Sequence, residues 1–410
     1  MGAWRRALET HQTDALDATA AELGRRVWEP VRPHLGDART VLVAPDGALV
    51  RLQFAALPGR RPGTYLVEEL ALGYVASGRH AATALADPAG PAGRGLLAVG
   101  DVDFRADPGR ARPDGPPAGA PAPRVVQRAG FRPLPATGPE ARRACDLFHA
   151  AFADQPAEPL TGAAPTEAEL KRRLDGGRWR VVHLATHGFF ESPARVAALR
   201  AAARREEPFA LPSQAAEDRE EDLAFALTPL LRSGVVLAGG GRDPDAAPAD
   251  AAADTPPRED GILTAEEVQA LDLRGTELVV LSACETGLGA LEHGQGVLGL
   301  QRAFQAAGAR AVAASLWKVD DAATGALMER FYTNLWTKKL PKLEALRQAQ
   351  LAVLNDPGVV ERHRAALAGR GLGEAAAALP EGGQIVPPAR AGARSDPAWW
   401  AAFVLGGDPR

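Results

Sequence analysis

Apolar positions recur along this chain at two spacings. Between residues 12 and 31, Leu16, Leu23, Val27 and Val31 fall at helical intervals, with Ala20 filling the gap. A helix with that face needs a partner surface to cover it. Residues 40–57, TVLVAPDGALVRLQFAAL, set two apolar runs on either side of Pro45-Asp46-Gly47. Proline presets φ and glycine accepts φ > 0, so the stretch predicts a hairpin. GLLAVGD, 95–101, reads as a short buried strand. Downstream the pattern alternates. Helical spacing covers 138–152 and 166–174, the second opened by a Thr166/Glu169 capping box. Strand-like runs follow at WRVVHLAT (179–186), GVVLAG (234–239), ELVVLSA (277–283) and ARAVAASLW (309–317). Helices are predicted between and after them at 264–271, 296–307, 321–337 and 342–355, and DPAWWAAFVLGG closes the chain as a buried strand. Continuously apolar strands between helices predict an α/β fold, its mostly parallel central sheet covered on both faces.

Composition changes this picture at four places. Residues 105–136 and 371–395 read as loops. Residues 191–221 are charged and rich in Ala and Arg, and 240–260 are acidic and low in complexity. The last two interrupt the alternation as insertions. The 410 residues carry a formal net charge of −4, so no basic footprint points to nucleic acid. No apolar run is long enough for a membrane span. The start, MGAWRRALETHQTDALDA, lacks the apolar core of a secretion signal. Lysine is confined to Lys171, Lys318, Lys338, Lys339 and Lys342, and isoleucine to Ile262 and Ile385. That bias is expected of a GC-rich, bacterial genome and strips the arginines of functional weight. Two cysteines, Cys145 and Cys284, exclude a disulfide scaffold and a multi-cysteine zinc module and fit a reducing, cytoplasmic setting.

Ligands of open α/β sheets bind beyond the carboxyl ends of the strands. Two predicted strands end in reactive pairs there. WRVVHLAT runs into His187-Gly188, and ELVVLSA into Cys284-Glu285-Thr286-Gly287. If these strands are neighbours, an imidazole and a thiol meet at one rim. A thiol near its free pKa of about 8.5 is only partly ionised at neutral pH. A histidine beside it takes the proton and later returns it to a leaving amine. The backbone N–H groups of Gly188 and Cys284 are the candidate donors to an oxyanion. A lone cysteine at a strand end is, on spacing alone, more often a small buried hydrophobe. Cys145 illustrates this, sharing a helix face with Phe148 and Phe152. His183 and His187 lie about 13 Å apart on a strand, too far to share a metal, and HLATH lacks the glutamate of a zinc motif. No metal or cofactor is expected. His183 reads as a core histidine satisfied by its neighbours. Gly294-Gln295-Gly296-Val297-Leu298-Gly299 lacks the G-K-[ST] ending of a phosphate loop and reads as the start of the helix after the cysteine loop.

As a set, these segments resemble one family. VLVAPDGALVRLQFAALPG, VVHLATHGFF, DGILTAEEV, ELVVLSACETGLG and WWAAFVLGGDP, in this order across 40–410, are similar to the CHAT domain. This is a caspase-like cysteine-peptidase domain often found behind tetratricopeptide repeats. The resemblance implies a three-layer α/β/α fold with a catalytic dyad at His187 and Cys284. It divides the chain into an N-terminal helical segment (1–38), a hairpin-and-helix part (39–94) and a catalytic domain (95–410). The separation of His187 and Cys284 is about twice the ~50 residues of caspases, so the chain is not a caspase proper. The excess falls in 191–221 and 240–260, whose composition best suits passive surface insertions. The resemblance also implies that 316–321 lines the substrate cleft. Trp317 would then wall a subsite, and Asp320, Asp321 or, more weakly, Asp260 would receive a basic side chain. Against that, Asp at a helix start is a cap, the expected role of at least one of the pair. The activity implied is endopeptidase cleavage of specific protein partners, in bacterial defence or cell death, with a repeat-containing or pore-forming partner. The alternatives are a catalytically silent interaction module and an amidase built on the same dyad.

Overall fold

The computed structural model describes residues 2–86, 93–106, 131–190, 229–241, 259–282, 284–285, 294–317, 319–369 and 394–410. Twelve strands lie among them: β1 Thr40–Val43, β2 Ala71–Tyr74, β3 Leu96–Val102, β4 Ala157–Gly162, β5 Val181–Leu184, β6 His187–Phe190, β7 Ser233–Val236, β8 Ile262–Thr264, β9 Leu278–Leu281, β10 Cys284–Glu285, β11 Ala311–Ser315 and β12 Phe403–Gly407. Eight form one sheet in the order β1-β2-β12-β11-β9-β5-β3-β4. The block from β11 to β4 is parallel, and β12 turns antiparallel against β11. Leu96–Val99, Val181–Leu184, Leu278–Val280 and Ala311–Ala314 are almost fully buried on both sides, as the unbroken apolar runs require. Helices Thr137–Ala151, Asp321–Tyr332 and Lys342–Asn355 form one layer. Helices Glu167–Leu174, Ala265–Gln269 and Gly294–Ala306 form the other, giving the mixed α/β architecture the sequence predicts. No described helix is long and apolar enough to cross a membrane.

The hairpin expected at 40–57 is not formed. β1 ends at Val43 and pairs in parallel with β2. The Asp46 side chain accepts from Gly47 N at 2.7 Å and caps a 3₁₀ turn over Gly47–Arg51, and a second turn covers Phe54–Ala56. Here Val50, Leu52, Phe54, Ala55, Ala56 and Leu57 are all buried, so the segment plugs the core. Gln53 fixes the plug by donating to the carbonyls of Ala401 and Phe403, at 2.5 and 3.1 Å. The helix expected at 12–31 is present as Thr13–Leu23, continued by a π-helical turn over Gly24–Trp28. Leu16 and Ala20 are buried, whereas Val31, beyond its end, is 42% exposed, and a separate helix, Gly2–Glu9, precedes it. Thr166 caps its helix from Glu169 N, but the Glu169 carboxylate turns to Arg172 and Arg173, so only half of the capping box forms.

The segment at 234–239, expected in the main sheet, belongs to a second sheet of order β10-β6-β7-β8. β5 and β9 leave the main sheet together after Leu184 and Leu281, and three residues on they pair again as β6 and β10. β7 adds antiparallel to β6, and β8 antiparallel to β7. Gly234 makes this packing possible, because a Cβ there would lie 2.6 Å from both the Leu263 carbonyl oxygen and the Phe189 ring. The insertions at 191–221 and 240–260 lie, apart from 240–241 and 259–260, outside the described residues, as do Ala283, Thr286, Gly287 and Lys318.

Candidate active site

The two rim segments are brought together by register. β6 and β10 run parallel with Cys284 directly opposite His187 and Glu285 opposite Gly188. Neighbouring strands lie about 4.8 Å apart, so the two backbones that carry the reactive residue types meet at one strand spacing. The exit from β5 is stitched down first. Ala185 N donates to Val99 O at 2.9 Å, and Thr186 Oγ1 donates to Val236 O at 2.5 Å. Those bonds tie the end of β5 to β3 on one side and to β7 on the other, immediately before His187.

The His187 side chain is 2% exposed. Its ring packs in a three-ring cluster with Phe104, at 4.8 Å and 41° between planes, and Phe131, at 5.4 Å and 36°, the two phenylalanines being 6.0 Å apart. Nε2 lies 2.7 Å from the backbone carbonyl oxygen of Arg132. A carbonyl only accepts, so Nε2 carries the hydrogen in this bond. A neutral imidazole held that way presents its acceptor lone pair at Nδ1. Gly188 sits in extended strand backbone between Glu285 of β10 and Val235 of β7, so its position does not call on positive φ. Phe104, Phe131, Arg132 and Thr186 were not singled out from the sequence. Two phenylalanines bracketing the Pro/Gly/Arg-rich stretch were a visible signal. A residue acting through its carbonyl leaves none.

The other rim residues are placed as follows. Trp317 is 3% exposed, and its Nε1 donates to Ala398 O at 3.1 Å. Trp4 meets its ring edge-on at 6.2 Å, and the Arg5 guanidinium lies 5.9 Å from its centroid. The indole expected to wall a subsite is thus enclosed by the N-terminal helix Gly2–Glu9. Asp320 is the helix cap, accepting from Ala323 N at 2.9 Å and pairing with Arg364 at 3.1 Å. Asp321 opens the helix that Asp320 caps. Asp260 Oδ1 accepts from Ile262 N at 2.8 Å and leads into β8, at the opposite edge of the small sheet from Cys284. Gly294–Ala306 is helical, as expected for the segment after the cysteine loop.

Two buried polar clusters flank this region. His183 is fully buried, with Nδ1 2.7 Å from the Tyr332 hydroxyl and Nε2 3.2 Å from Glu140. Burial, with Glu140 and Cys145 adding to it, pushes the Tyr332 hydroxyl well above the ordinary range, so it stays neutral. In the second cluster the Lys171 ammonium lies 2.6, 3.0 and 2.7 Å from Glu167, Glu259 and Glu267. Three carboxylates in one place could ligate a cation, but Lys171 already stands among them. Burial raises Glu167, helped by a hydrogen bond with Glu259. Burial also pushes Glu267 upward, but hydrogen bonds with Glu167 and Lys171 outweigh it and hold Glu267 low. Cys145 is buried in its helix, and desolvation, with Asp146 and Glu158 nearby, pushes its thiol up to about 12.

Among known proteins, the CHAT domain family profile matches residues 17–408. Tetratricopeptide repeat protein 28 of Mus musculus is 39% identical over 92 residues, 22% of this chain and 4% of that protein. Tetratricopeptide repeat protein 28 of Homo sapiens is 26% identical over 301 residues, 73% of this chain and 11% of that protein. The chain therefore spans a small part of the length of these relatives. With a match that runs nearly end to end over the two-sheet α/β fold and its paired rim, the chain belongs to the caspase-like CHAT domain family.

Proposed function

We propose that this protein is a cysteine endopeptidase that cleaves specific protein partners with Cys284 as nucleophile and His187 as base. The observation that carries this reading is the β6–β10 register, which sets Cys284 opposite His187. In this mechanism the Cys284 thiol passes its proton to Nδ1 of His187. The thiolate sulfur bonds to the carbonyl carbon of the substrate amide, and the carbonyl electron pair moves to oxygen. The backbone N–H groups of Gly188 and Cys284 receive that oxyanion. Collapse breaks the C–N bond, and the imidazolium protonates the departing amine. Water, losing a proton to His187, then attacks the thioester and frees the acid and the thiol. The Arg132 carbonyl supports the cycle by holding the imidazole in one tautomer, accepting the hydrogen bond that Nε2–H donates throughout.

The relatives carry tetratricopeptide repeats in their name, and a repeat-containing partner is the regulator this reading favours. The test compares new protein N-termini in a bacterial lysate incubated with wild type or Cys284→Ala. Termini that appear only with wild type support a peptidase. Identical sets from two equally folded proteins, with Cys284 no more reactive than an ordinary thiol, leave an interaction module instead.

A further inference from the structure

We infer that the rim beside Cys284 carries a binding seat for a helical segment with neighbouring aromatic and basic side chains, filled in this structure by the chain's own Trp4 and Arg5. The place of the seat follows from register. β11 pairs with β9 in parallel as far as Ala314 and Leu281, and β5 pairs with β9 as far as Leu184 and Leu281. Trp317, Cys284 and His187 each come three residues later on their own strands' exits, so all three stand at one end of the sheet. Ligands of open α/β sheets bind outside these carboxyl ends. The helix Gly2–Glu9 reaches this end through two adjacent side chains. Trp4 meets the Trp317 ring edge-on at 6.2 Å, and the Arg5 guanidinium lies over the same ring, 5.9 Å from its centroid. Arg5 Nη2 also donates to Leu316 O at 2.7 Å.

The seat is built without the helix. Leu316 N donates to Ala402 O at 2.9 Å, and Trp317 Nε1 donates to Ala398 O at 3.1 Å. Those bonds hold a carbonyl and an indole ready for a cation over the ring and an aromatic edge beside it. The occupant is held less firmly. Eight residues are too few for a helix to stand alone in water, and this one rests on Trp4, Ala7 and Leu8. Its link to the next helix passes through His11 at φ 51°, a left-handed conformation that is strained for any residue with a Cβ. His11 Nδ1 lies 3.1 Å from Asp396 Oδ2, which keeps the link down. Core packing alone would ask only for the apolar volume of Trp4. A guanidinium laid on the same indole and bonded to the neighbouring carbonyl makes the pair a ligand. A protein partner that presents such a pair on a helix enters by taking the place of Gly2–Glu9. The seat uses neither the His187 imidazole nor the Cys284 thiol, so it stands whether or not those two are catalytic.

Fluorescence anisotropy of a labelled peptide with the sequence of residues 2–12 tests this on the whole chain. Wild type, its seat filled, should bind weakly. Arg5→Ala, whose helix has lost its bond to Leu316, should bind about 10-fold more tightly, because apparent affinity rises with the fraction of open seats. Peptides carrying Trp4→Ala or Arg5→Ala should each bind that protein at least about 10-fold more weakly. Equal binding to the two proteins overturns the inference. So does no binding to either, or binding that either altered peptide retains. Cys145, buried in its helix, reports on folding through its protection from iodoacetamide. Should Arg5→Ala expose it, hydrogen exchange on wild type decides. Saturating peptide should speed amide exchange over residues 2–9 by about 10-fold, and unchanged exchange overturns the seat.

Discussion

Replacing Lys171 with methionine tests the charge balance beneath the small sheet. The ammonium is 2% exposed and contacts three carboxylates at 2.6–3.0 Å. At an effective dielectric of about 20, each ionised contact is worth about 6 kcal/mol of attraction, before the desolvation that offsets most of it. Methionine keeps the stem's volume and removes the charge, leaving Glu167, Glu259 and Glu267 within 4.8 Å of one another. Breaking a buried pair in this way costs about 3–5 kcal/mol. The loss should depend on pH. Glu267, held low in wild type, contributes stability above its unfolded pKa, a contribution that fades as pH falls through its folded value. Without Lys171 that contribution is gone, and burial pushes Glu167 and Glu267 upward with no ammonium to oppose it. A group raised on folding gives stability below its unfolded pKa and loses it as pH rises through the folded one. The deficit of Lys171→Met should therefore approach about 3–5 kcal/mol at pH 8 and fall to about half at pH 5. Lys171 itself is raised by its carboxylates and stays charged across this window, so it adds no slope. Urea unfolding followed by tryptophan fluorescence measures the difference. Adding Glu267→Gln should recover at least about 1 kcal/mol at pH 8, because it removes one uncompensated charge. A loss below about 1 kcal/mol, or one equal at both pH values, would refute the reasoning.

Three further outcomes follow. Cys145, with its thiol pushed up to about 12, should stay unalkylated in native protein at pH 7.5 while Cys284 reacts, as intact mass and peptide mapping will show. Asp320→Ala should cost about 1–2 kcal/mol in urea unfolding through loss of the cap and the Arg364 pair, and Asp320→Asn, which keeps a capping oxygen, less. Trp4→Ala should cost about 3–5 kcal/mol, because a side chain 1% exposed leaves a cavity against Trp317. Intrinsic fluorescence of Trp317 should shift to the red in the same variant.

The parallel strands were legible because burial on both faces writes itself as unbroken runs such as Val181–Leu184 and Leu278–Leu281. The same rule misled at 40–57. Burial of Val50 and of Leu52–Leu57 is also what a core plug needs, and tertiary bonds from Gln53 decide between the two. β4 escaped notice for a local reason. AEPLTG has no β-branched run and contains Pro159, which a sheet tolerates at an edge, where β4 lies. At the rim, His187 and Cys284 stood out by residue type and position, and their register was not readable because it depends on which strands are neighbours. The surroundings of His187 were harder still. Phe104 and Phe131 are distant from it in sequence, and Arg132 acts through a backbone atom that every residue possesses.

The departure of β5 and β9 from the main sheet has a bearing on how this chain tolerates insertion and deletion. The main sheet pairs Leu184 with Leu281, and the small sheet pairs His187 with Cys284. Both connections are therefore two residues long, and the meeting of histidine and cysteine is a matter of equal chain lengths. Lengthening one connection by a single residue would slide the two rims past each other by about 3.3 Å. Lengthening both by one would restore the match. Length changes elsewhere between His187 and Cys284, outside β7, β8, the helix Ala265–Gln269, β9 and the connection after it, leave that match untouched, so loose and strict spacing coexist in the same segment of the gene.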